Sequence, residues 1–183
     1  PILYRLFSKI LLKRIHTKLD AAQSKDQAGF RPSLGCIDHI FGITIIVEKA
    51  NEHAKPLWIA TIDFQDAFDS VAHAAVWEAL VEQGIEPIYI KMLQRLYDGQ
   101  ETAVETDRRS DTFQIQRGTK QGDPVSPIIF NAVVEMFIAK LKGVWKRRKY
   151  GVRVDDFTEE DFITNLRYAD DILLIARSLP QVK

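Results

Sequence analysis

Apolar side chains recur every three or four residues in several parts of the chain, which is the period of one face of an α-helix. This spacing predicts helices from Ala72 to Gln83 and from Pro87 to Asp98, each followed by a glycine that favours a helix end, Gly84 and Gly99. A further helix is predicted from Ile37 to Ala54.

Shorter runs rich in β-branched and aromatic residues predict strands between the helices. Leu57–Ile62 is expected to be a short buried strand, and Thr102–Glu105 with Thr112–Gln116 is expected to form a hairpin. A second hairpin is predicted near the C-terminal end of the chain, with apolar residues on both sides of the turn Ala169–Asp170. Helices and strands of this kind in one chain indicate a mixed, α+β fold.

A polar loop containing two glycines, Arg117–Pro127, leads into an apolar helix predicted from Ile128 to about Leu141. Ser126 is expected to cap that helix, and Pro127 suits its first position, where a missing N–H costs nothing. Glycine lets the backbone approach a ligand closely, and the Gln121 amide offers both a donor and an acceptor. Alone, this pattern is typical of any loop that precedes a helix.

Carboxylates stand at two predicted strand ends. Asp170 and Asp171 are adjacent at the turn of the second hairpin, and two anions side by side repel each other unless a divalent cation supplies positive charge. Asp63 follows the predicted buried strand, so these three residues supply the carboxylates that a two-metal phosphoryl-transfer site needs. The alternative for the adjacent pair is a surface turn, where aspartate is common. Asp66 and Asp69 are expected to cap or solvate the segment that follows.

Composition limits the class of protein. With 183 residues, 46% of them hydrophobic, the chain can bury one sizeable core, and we expect one globular unit. Its apolar stretches are too short to span a membrane, so we expect a soluble, intracellular protein, although the sequence does not determine whether it is nuclear. The single cysteine, Cys36, is expected to be a half-buried structural thiol, and the four scattered histidines suggest no metal site.

Net charge is zero, with 25 basic and 25 acidic residues, which argues against a protein that coats nucleic acid generally. A local basic track would still serve a protein that follows one nucleic-acid strand along a groove. The run Lys146–Lys149 is the denser candidate. Basic residues also recur along the first helix, where a solvated face and RNA binding explain them equally well: Arg5, Lys9, Lys13, Arg14 and Lys18.

Four short motifs, in this order along nearly the whole chain, resemble the reverse transcriptase family, specifically its non-LTR retrotransposon and group II intron branches. They match a fingers motif and three successive palm motifs of that family. The matching residues are Gln27-Ala28-Gly29-Phe30-Arg31-Pro32, then Asp63 to Phe68, then Gln121-Gly122 with Ser126-Pro127, and finally Tyr168-Ala169-Asp170-Asp171.

The resemblance implies RNA-directed DNA synthesis by a right-hand polymerase palm with partial fingers. Its implied partners are an RNA template, a DNA primer and deoxynucleoside triphosphates, and no membrane. Its implied cofactor is a pair of Mg²⁺ ions, which Mn²⁺ could replace. Asp63, Asp170 and Asp171 match the catalytic and metal-binding carboxylates.

Further roles follow residue by residue from the same resemblance. Phe68 matches the steric gate that excludes a ribose 2′-hydroxyl, and a palm core aromatic is the alternative. Gln121 and Gly122 match residues that lie against the incoming nucleotide and its template base, and Tyr168 matches the aromatic residue beside the primer end. Two arginines are candidates for phosphate or template contacts, with a solvated surface position as the alternative: Arg5 and Arg31.

The chain departs from the family pattern at its ends. Residues 1 to about 56 correspond to part of the fingers and about 57–183 mainly to the palm, whereas the later palm motifs and the thumb are not represented. We therefore expect a fragment of a larger element protein or a decayed copy, with weak or no activity alone. The alternatives are an RNA-dependent RNA polymerase and a non-catalytic domain kept for binding RNA or a partner.

Overall fold

A computed structural model describes residues 2–120, 122–153 and 162–182 of the chain. Helices and strands are mixed along it, and none of the helices in these ranges is long and apolar enough to cross a membrane. The helices are α1 (Ile2–Ala22), α2 (Cys36–Glu52), α3 (Ala67–Ser70), α4 (His73–Glu82), α5 (Pro87–Tyr97), α6 (Ser126–Arg148) and α7 (Leu179–Val182). The strands are β1 (Trp58–Ile62), β2 (Glu101–Thr102), β3 (Phe113–Gln114), β4 (Val152–Arg153), β5 (Phe162–Ile163), β6 (Asn165–Tyr168) and β7 (Asp171–Ala176).

The chain divides into two compact units. The first, called the helical unit here, comprises Pro1–Ala22 and Gln65–Val133. The second, called the sheet unit, comprises Gln23–Phe64 and Val134–Lys183. Each unit is therefore built from two separate stretches of sequence.

The helical unit buries the apolar faces of its helices. On α5 the buried residues are Ile90, Leu93 and Tyr97, which follow the helical period read from the sequence. The buried residues of α4 include Val76 and Leu80. The predicted helices Ala72–Gln83 and Pro87–Asp98 are thus confirmed, with ends that differ by one residue. The predicted hairpin is also present, with β2 and β3 each only two residues long.

The sheet unit contains a three-stranded antiparallel sheet in the order β1–β7–β6. The longest strand, β7, is central, and its Ile172, Ile175 and Ala176 are buried. Asn165 of β6 pairs with Leu174, and the predicted hairpin is confirmed, since a two-residue turn joins β6 to β7. The predicted helix at Ile37–Ala54 is α2.

Three expectations about burial and helix length were wrong. The strand β1 is exposed, with Trp58 44% and Ile59 43% accessible, although all of its residues pair with β7. Strand side chains stand perpendicular to the sheet, so only groups that pack on its faces can bury them. Cys36 is exposed as well. Helix α6 extends seven residues beyond Leu141 to Arg148, where lysines and arginines are good helix formers and favour the negative end of the helix dipole.

Ser126 does not cap α6 with its side chain. Its hydroxyl donates a hydrogen bond to the Lys120 carbonyl at 2.7 Å, and the helix already begins at this residue. The Asp123 carboxylate forms a turn just before the helix, since its Oδ1 accepts the backbone N–H of Val125 at 3.1 Å. The expected serine cap is therefore wrong, and a turn centred on an aspartate three residues earlier leads into the helix.

Candidate functional site

Two carboxylates lie beside each other at one end of the β1–β7 pair in the sheet unit. Ile62, the last residue of β1, pairs with Ile172 of β7. Continuing this antiparallel register by one residue sets Asp63 opposite Asp171. Residues opposite each other on antiparallel strands have Cα atoms only about 4.5 to 5.5 Å apart. The fold therefore brings together two anionic side chains that are 108 positions apart in sequence, and both are exposed.

Asp170 occupies a different environment. It lies in the two-residue turn between β6 and β7 and is half-buried, whereas Asp171 begins β7 and pairs with Tyr168. In the three described ranges, no set of three or more His, Cys, Asp or Glu side chains is arranged to hold one metal ion. The structure thus brings Asp63 and Asp171 together and does not add Asp170 to them as a third ligand.

The donor chemistry of the pair suits a divalent cation. Like charges directly opposite on neighbouring strands destabilise a sheet, and a bound cation would relieve that repulsion. Mg²⁺ is commonly held by only one or two carboxylates together with substrate phosphates. Asp63 and Asp171 fit that pattern, whereas a second ion would need ligands beyond this pair.

The pair lines a groove of about 440 Å³, called the carboxylate groove here. One wall is formed by His39, Ile40 and Ile43 of α2, and the other by β1 and the β6–β7 hairpin. Tyr168 also lines the groove and is 44% exposed. A groove lined by two carboxylates, an exposed aromatic ring and apolar side chains can accept a ligand that has both phosphates and flat rings.

Arg31, in the sheet unit, was predicted to contact phosphates or the template, and its side chain is hydrogen-bonded to its own loop. The Arg31 guanidinium donates to the backbone carbonyls of Ser24 at 2.8 Å and Gln27 at 3.3 Å. It therefore braces the segment that carries the first motif. Its proposed contact with phosphates or template remains a prediction.

In the helical unit, the polar loop that begins at Arg117 is hydrogen-bonded to α3 and to Val71, the residue that follows it. The N–H of Gly118 donates to the Val71 carbonyl, and that of Thr119 donates to the Phe68 carbonyl, both at 2.8 Å. A Cβ on Gly118 would lie 2.8 Å from the carbonyl oxygen of Asp69, and its φ of +93° is also unfavourable for other residues. Glycine is thus required for this close approach of the two segments.

Phe68 contributes its ring as well as its backbone to this region. The ring is half-buried and stacks on Phe130 of α6, with ring centroids 4.3 Å apart and planes inclined by 25°. A half-buried ring that stacks on a neighbouring aromatic residue is compatible with both roles considered for Phe68, the gate and the core aromatic.

Two residues that the sequence places far apart meet at this loop. The Nη2 atom of Arg5 lies 3.8 Å from the position that a Cβ on Gly122 would occupy. Gly122 has φ of +75°, and its surroundings are otherwise open, which leaves its backbone accessible to a ligand. Gln121, the third residue predicted to contact nucleotide here, lies outside the described residues.

The sequence did not identify the cluster that holds the N-terminal end of α1 against this loop. The Tyr4 hydroxyl donates to the Asp123 carboxylate, and burial, with this hydrogen bond, raises the pKa of Tyr4. The Lys120 ammonium lies 4.3 Å from the centroid of the Tyr4 ring and donates to the Leu96 carbonyl. Burial lowers the pKa of Lys120. Asp123 stands in the predicted loop motif, but its partner on α1 is visible only in three dimensions.

Two other aspartates considered from the sequence behave as local structure. Asp66 precedes α3 in the left-handed conformation, with φ of +50°, and makes no side-chain capping hydrogen bond. Its side chain is exposed, which agrees with the solvating role and not with the capping one. Its backbone carbonyl accepts the N–H groups of Asp69 and Ser70 instead.

The basic run Lys146–Lys149 lies at the C-terminal end of α6, where Arg148 lies 5.9 Å from the centroid of the Tyr150 ring.

Comparison with known proteins gives the class. The sequence pattern of the family described as "Reverse transcriptase (RNA-dependent DNA polymerase)" matches residues 1–183, and the chain therefore belongs to this family. It is 31% identical over 179 residues to the Pol polyprotein of the retrotransposable element R2DM of Drosophila melanogaster. It is 27% identical over 175 residues to that of an R2 element of Popillia japonica. Reverse transcriptases in general act on RNA templates and use divalent metal ions.

The match covers most of this chain but a small part of those relatives. It spans 97% of the chain and 16% of the Drosophila protein, and 94% of the chain and 23% of the Popillia protein. Among solved structures, the apo telomerase of Candida tropicalis truncated from its C-terminal domain has a TM-score of 0.65 at 17% identity. That likeness covers 98% of this chain and 35% of the telomerase chain. The polymerase fold is therefore shared at low sequence identity.

Proposed function

We propose that this chain supplies the nucleotidyl-transfer site of an R2-like retrotransposon protein, with Asp63 and Asp171 as the central catalytic carboxylates. The observation that supports this most strongly is the juxtaposition of these two side chains at the end of the β1–β7 pair. Both line the carboxylate groove, so a substrate in that groove would meet them directly. Asp170, next in the turn, is proposed as an additional ligand.

The reaction joins the primer 3′-hydroxyl to the α-phosphorus of a deoxynucleoside triphosphate. The hydroxyl gives its proton to water, and its oxygen forms a bond to the α-phosphorus. The bond from that phosphorus to the oxygen bridging to the β-phosphate breaks, and pyrophosphate leaves. Divalent ions supply positive charge that activates the attacking oxygen and stabilises the leaving one. The two carboxylates would hold one such ion, while their antiparallel strands fix the spacing between them.

The exposed ring of Tyr168 is proposed to support the end of the primer. It lines the same groove as Asp171, its cross-strand partner, and an aromatic face can stack on a nucleobase regardless of its identity. The apolar residues of α2 on the opposite wall, Ile40 and Ile43, would limit the access of water to the reacting groups.

The loop of the helical unit is proposed to bind the incoming nucleotide. Arg5 beside Gly122 combines a cation with an accessible backbone, which suits a triphosphate. Phe68, anchored on Phe130, is proposed to crowd the 2′ position of the sugar and favour deoxynucleotides. This assignment to a DNA-synthesising enzyme separates the proposal from an RNA-dependent RNA polymerase.

The test is primer extension by the protein at its natural length, with a DNA primer on an RNA template and either deoxynucleotides or ribonucleotides. We expect extension with deoxynucleotides, and loss of about 100-fold or more in Asp171→Asn, which removes a charge without changing size. Asp111→Asn, at an exposed site of the helical unit, is the control and should retain activity. Preference for ribonucleotides would support the RNA polymerase alternative, and RNA binding without synthesis would support the non-catalytic one.

A further inference from the structure

Gln27 is fully buried, and its amide contacts the turn that precedes Asp170 and Asp171. Its Oε1 accepts the N–H groups of Ala169 at 2.9 Å and of Gly29 at 2.8 Å. Its Nε2 donates to the Ala169 carbonyl at 3.2 Å. One side chain, 142 positions away in sequence, therefore satisfies both backbone polar groups of a single turn residue.

That turn residue has an unfavourable backbone conformation. Ala169 has φ of +58°, in the left-handed region that residues with a Cβ rarely adopt. It is also buried, so water cannot replace hydrogen bonds that it loses. A strained, buried residue at such a position persists only when its surroundings hold it in place. The Gln27 amide makes the two hydrogen bonds that do so here.

The backbone around Gln27 adds further support. The Arg167 N–H donates to the Asp26 carbonyl at 2.7 Å, and the Ala28 N–H donates to the Arg167 carbonyl at 2.9 Å, so this segment pairs alongside β6. A Cβ on Gly29 would overlap the Ala169 nitrogen and lie 3.0 Å from its Cα. The segment therefore fits against the turn so closely that only glycine is allowed at position 29.

We propose that Gln27 is a positioning residue for the carboxylates Asp170 and Asp171, acting through the backbone of Ala169. This inference rests on the proposed function of those carboxylates. The direction of the peptide between Ala169 and Asp170 sets where the Asp170 side chain points, and Asp171 follows at the first position of β7. If the amide is removed, Ala169 can relax toward a common conformation and rotate that peptide. Metal ligands depend strongly on such placement.

The competing explanation is that Gln27 only fills buried space and satisfies its own amide. Both explanations predict some loss of stability when the amide is removed, so stability alone does not separate them. They differ in the expected metal affinity. If Gln27 only fills space, its replacement leaves the carboxylates in place and the metal affinity of the folded protein unchanged.

The experiment compares two isosteric changes of buried amides in the protein at its natural length. Gln27→Met removes the hydrogen bonds to the turn while keeping side-chain length. The control, Asn165→Leu, alters a fully buried amide of β6 whose Nδ2 donates to the Thr164 hydroxyl instead of the turn. The measurements are thermal unfolding, Mn²⁺ affinity by electron paramagnetic resonance without nucleotide, primer-template affinity, and kcat separately from KM.

For Gln27→Met we expect Mn²⁺ affinity and kcat to fall by about tenfold or more, with primer-template affinity within about twofold of wild type. Asn165→Leu should leave Mn²⁺ affinity unchanged, because its amide does not contact the turn. Equal Mn²⁺ affinities in wild type and Gln27→Met would overturn the positioning role. Asp171→Asn, measured in parallel, separates the two proposals: if it retains full synthesis, the proposed function fails irrespective of the result at Gln27.

A second variant keeps the test decisive if Gln27→Met folds poorly. Glycine adopts the left-handed conformation without strain, so Ala169→Gly should hold the turn in shape with less help from the amide. The Gln27→Met change is therefore also made in the Ala169→Gly protein. We expect Gln27→Met to lower Mn²⁺ affinity less in the Ala169→Gly protein than in the wild-type protein. An undiminished loss in that background would contradict the proposed route through Ala169.

Discussion

The buried ion pair behind the β6–β7 hairpin offers a quantitative test of how the fold supports its site. Arg167 of β6 has a fully buried side chain, and its Nη2 lies 2.7 Å from Oε2 of Glu135 on α6. The same nitrogen donates to the Ser24 hydroxyl at 2.5 Å. Nε and Nη1 of Arg167 have no hydrogen-bond partner in the part of the chain that the structure describes. Within the described residues, the Glu135 carboxylate therefore compensates the buried positive charge of Arg167.

Glu135→Leu would leave this guanidinium buried and unpaired. Breaking a buried ion pair from one side costs about 3 to 5 kcal/mol, because the remaining charge has lost its compensation. Replacing both partners with apolar residues is often neutral, since no buried charge remains. We therefore expect the double variant Arg167→Met, Glu135→Leu to recover most of the stability that Glu135→Leu loses.

The assay is hydrogen exchange of the β6–β7 amides in the protein at its natural length. A loss of about 3 kcal/mol or more corresponds to amide exchange that is faster by about 100-fold or more, since about 1.4 kcal/mol is a factor of ten. Exchange in Glu135→Leu within about fivefold of wild type would refute the reasoning, because it would mean that the pair contributes about 1 kcal/mol at most, as exposed pairs do.

Three further predictions concern the helical unit. Phe68→Ala should raise ribonucleotide incorporation relative to deoxynucleotides by about tenfold in a competition assay, and unchanged discrimination would mean that the ring is only packing. Gly118→Ala should lower the thermal unfolding midpoint more than Gly122→Ala, since both glycines have positive φ but only Gly118 lies against neighbouring backbone; equal losses would contradict this. Burial and the hydrogen bond to Asp123 raise the pKa of the Tyr4 hydroxyl. The unfolded state therefore releases the phenolic proton near pH 10, whereas the folded state retains it. Stability should therefore fall as pH rises above about 10, and less steeply in Tyr4→Phe, as measured by chemical unfolding at several pH values.

Local sequence patterns predicted much of this fold because local interactions determine it. The apolar period of α5 places Ile90, Leu93 and Tyr97 on one buried face, as the sequence indicates. The two strands on either side of Ala169–Asp170 pair as a hairpin, and Asp63 falls at a strand end as expected. These features depend on residues that are close together in the chain.

Features that depend on distant residues could not be read in the same way. The partner of Ala169 is Gln27, 142 positions earlier, and no periodicity or turn rule links the two. Tyr4 and Asp123 are likewise 119 positions apart. The exposure of β1 was missed because a strand's composition does not reveal which groups will pack on the two faces of its sheet.

The most direct test of the account compares two aspartates three positions apart. Asp63 lies at the end of β1 beside the register position of Asp171, whereas Asp66 precedes α3 in a left-handed conformation that asparagine adopts readily. Single-turnover addition of one deoxynucleotide to a DNA primer on an RNA template is measured for Asp63→Asn and Asp66→Asn in the protein at its natural length. The account predicts a loss of about 100-fold or more for Asp63→Asn and a rate near wild type for Asp66→Asn. Comparable rates for wild type and Asp63→Asn would contradict the assignment of the catalytic carboxylates.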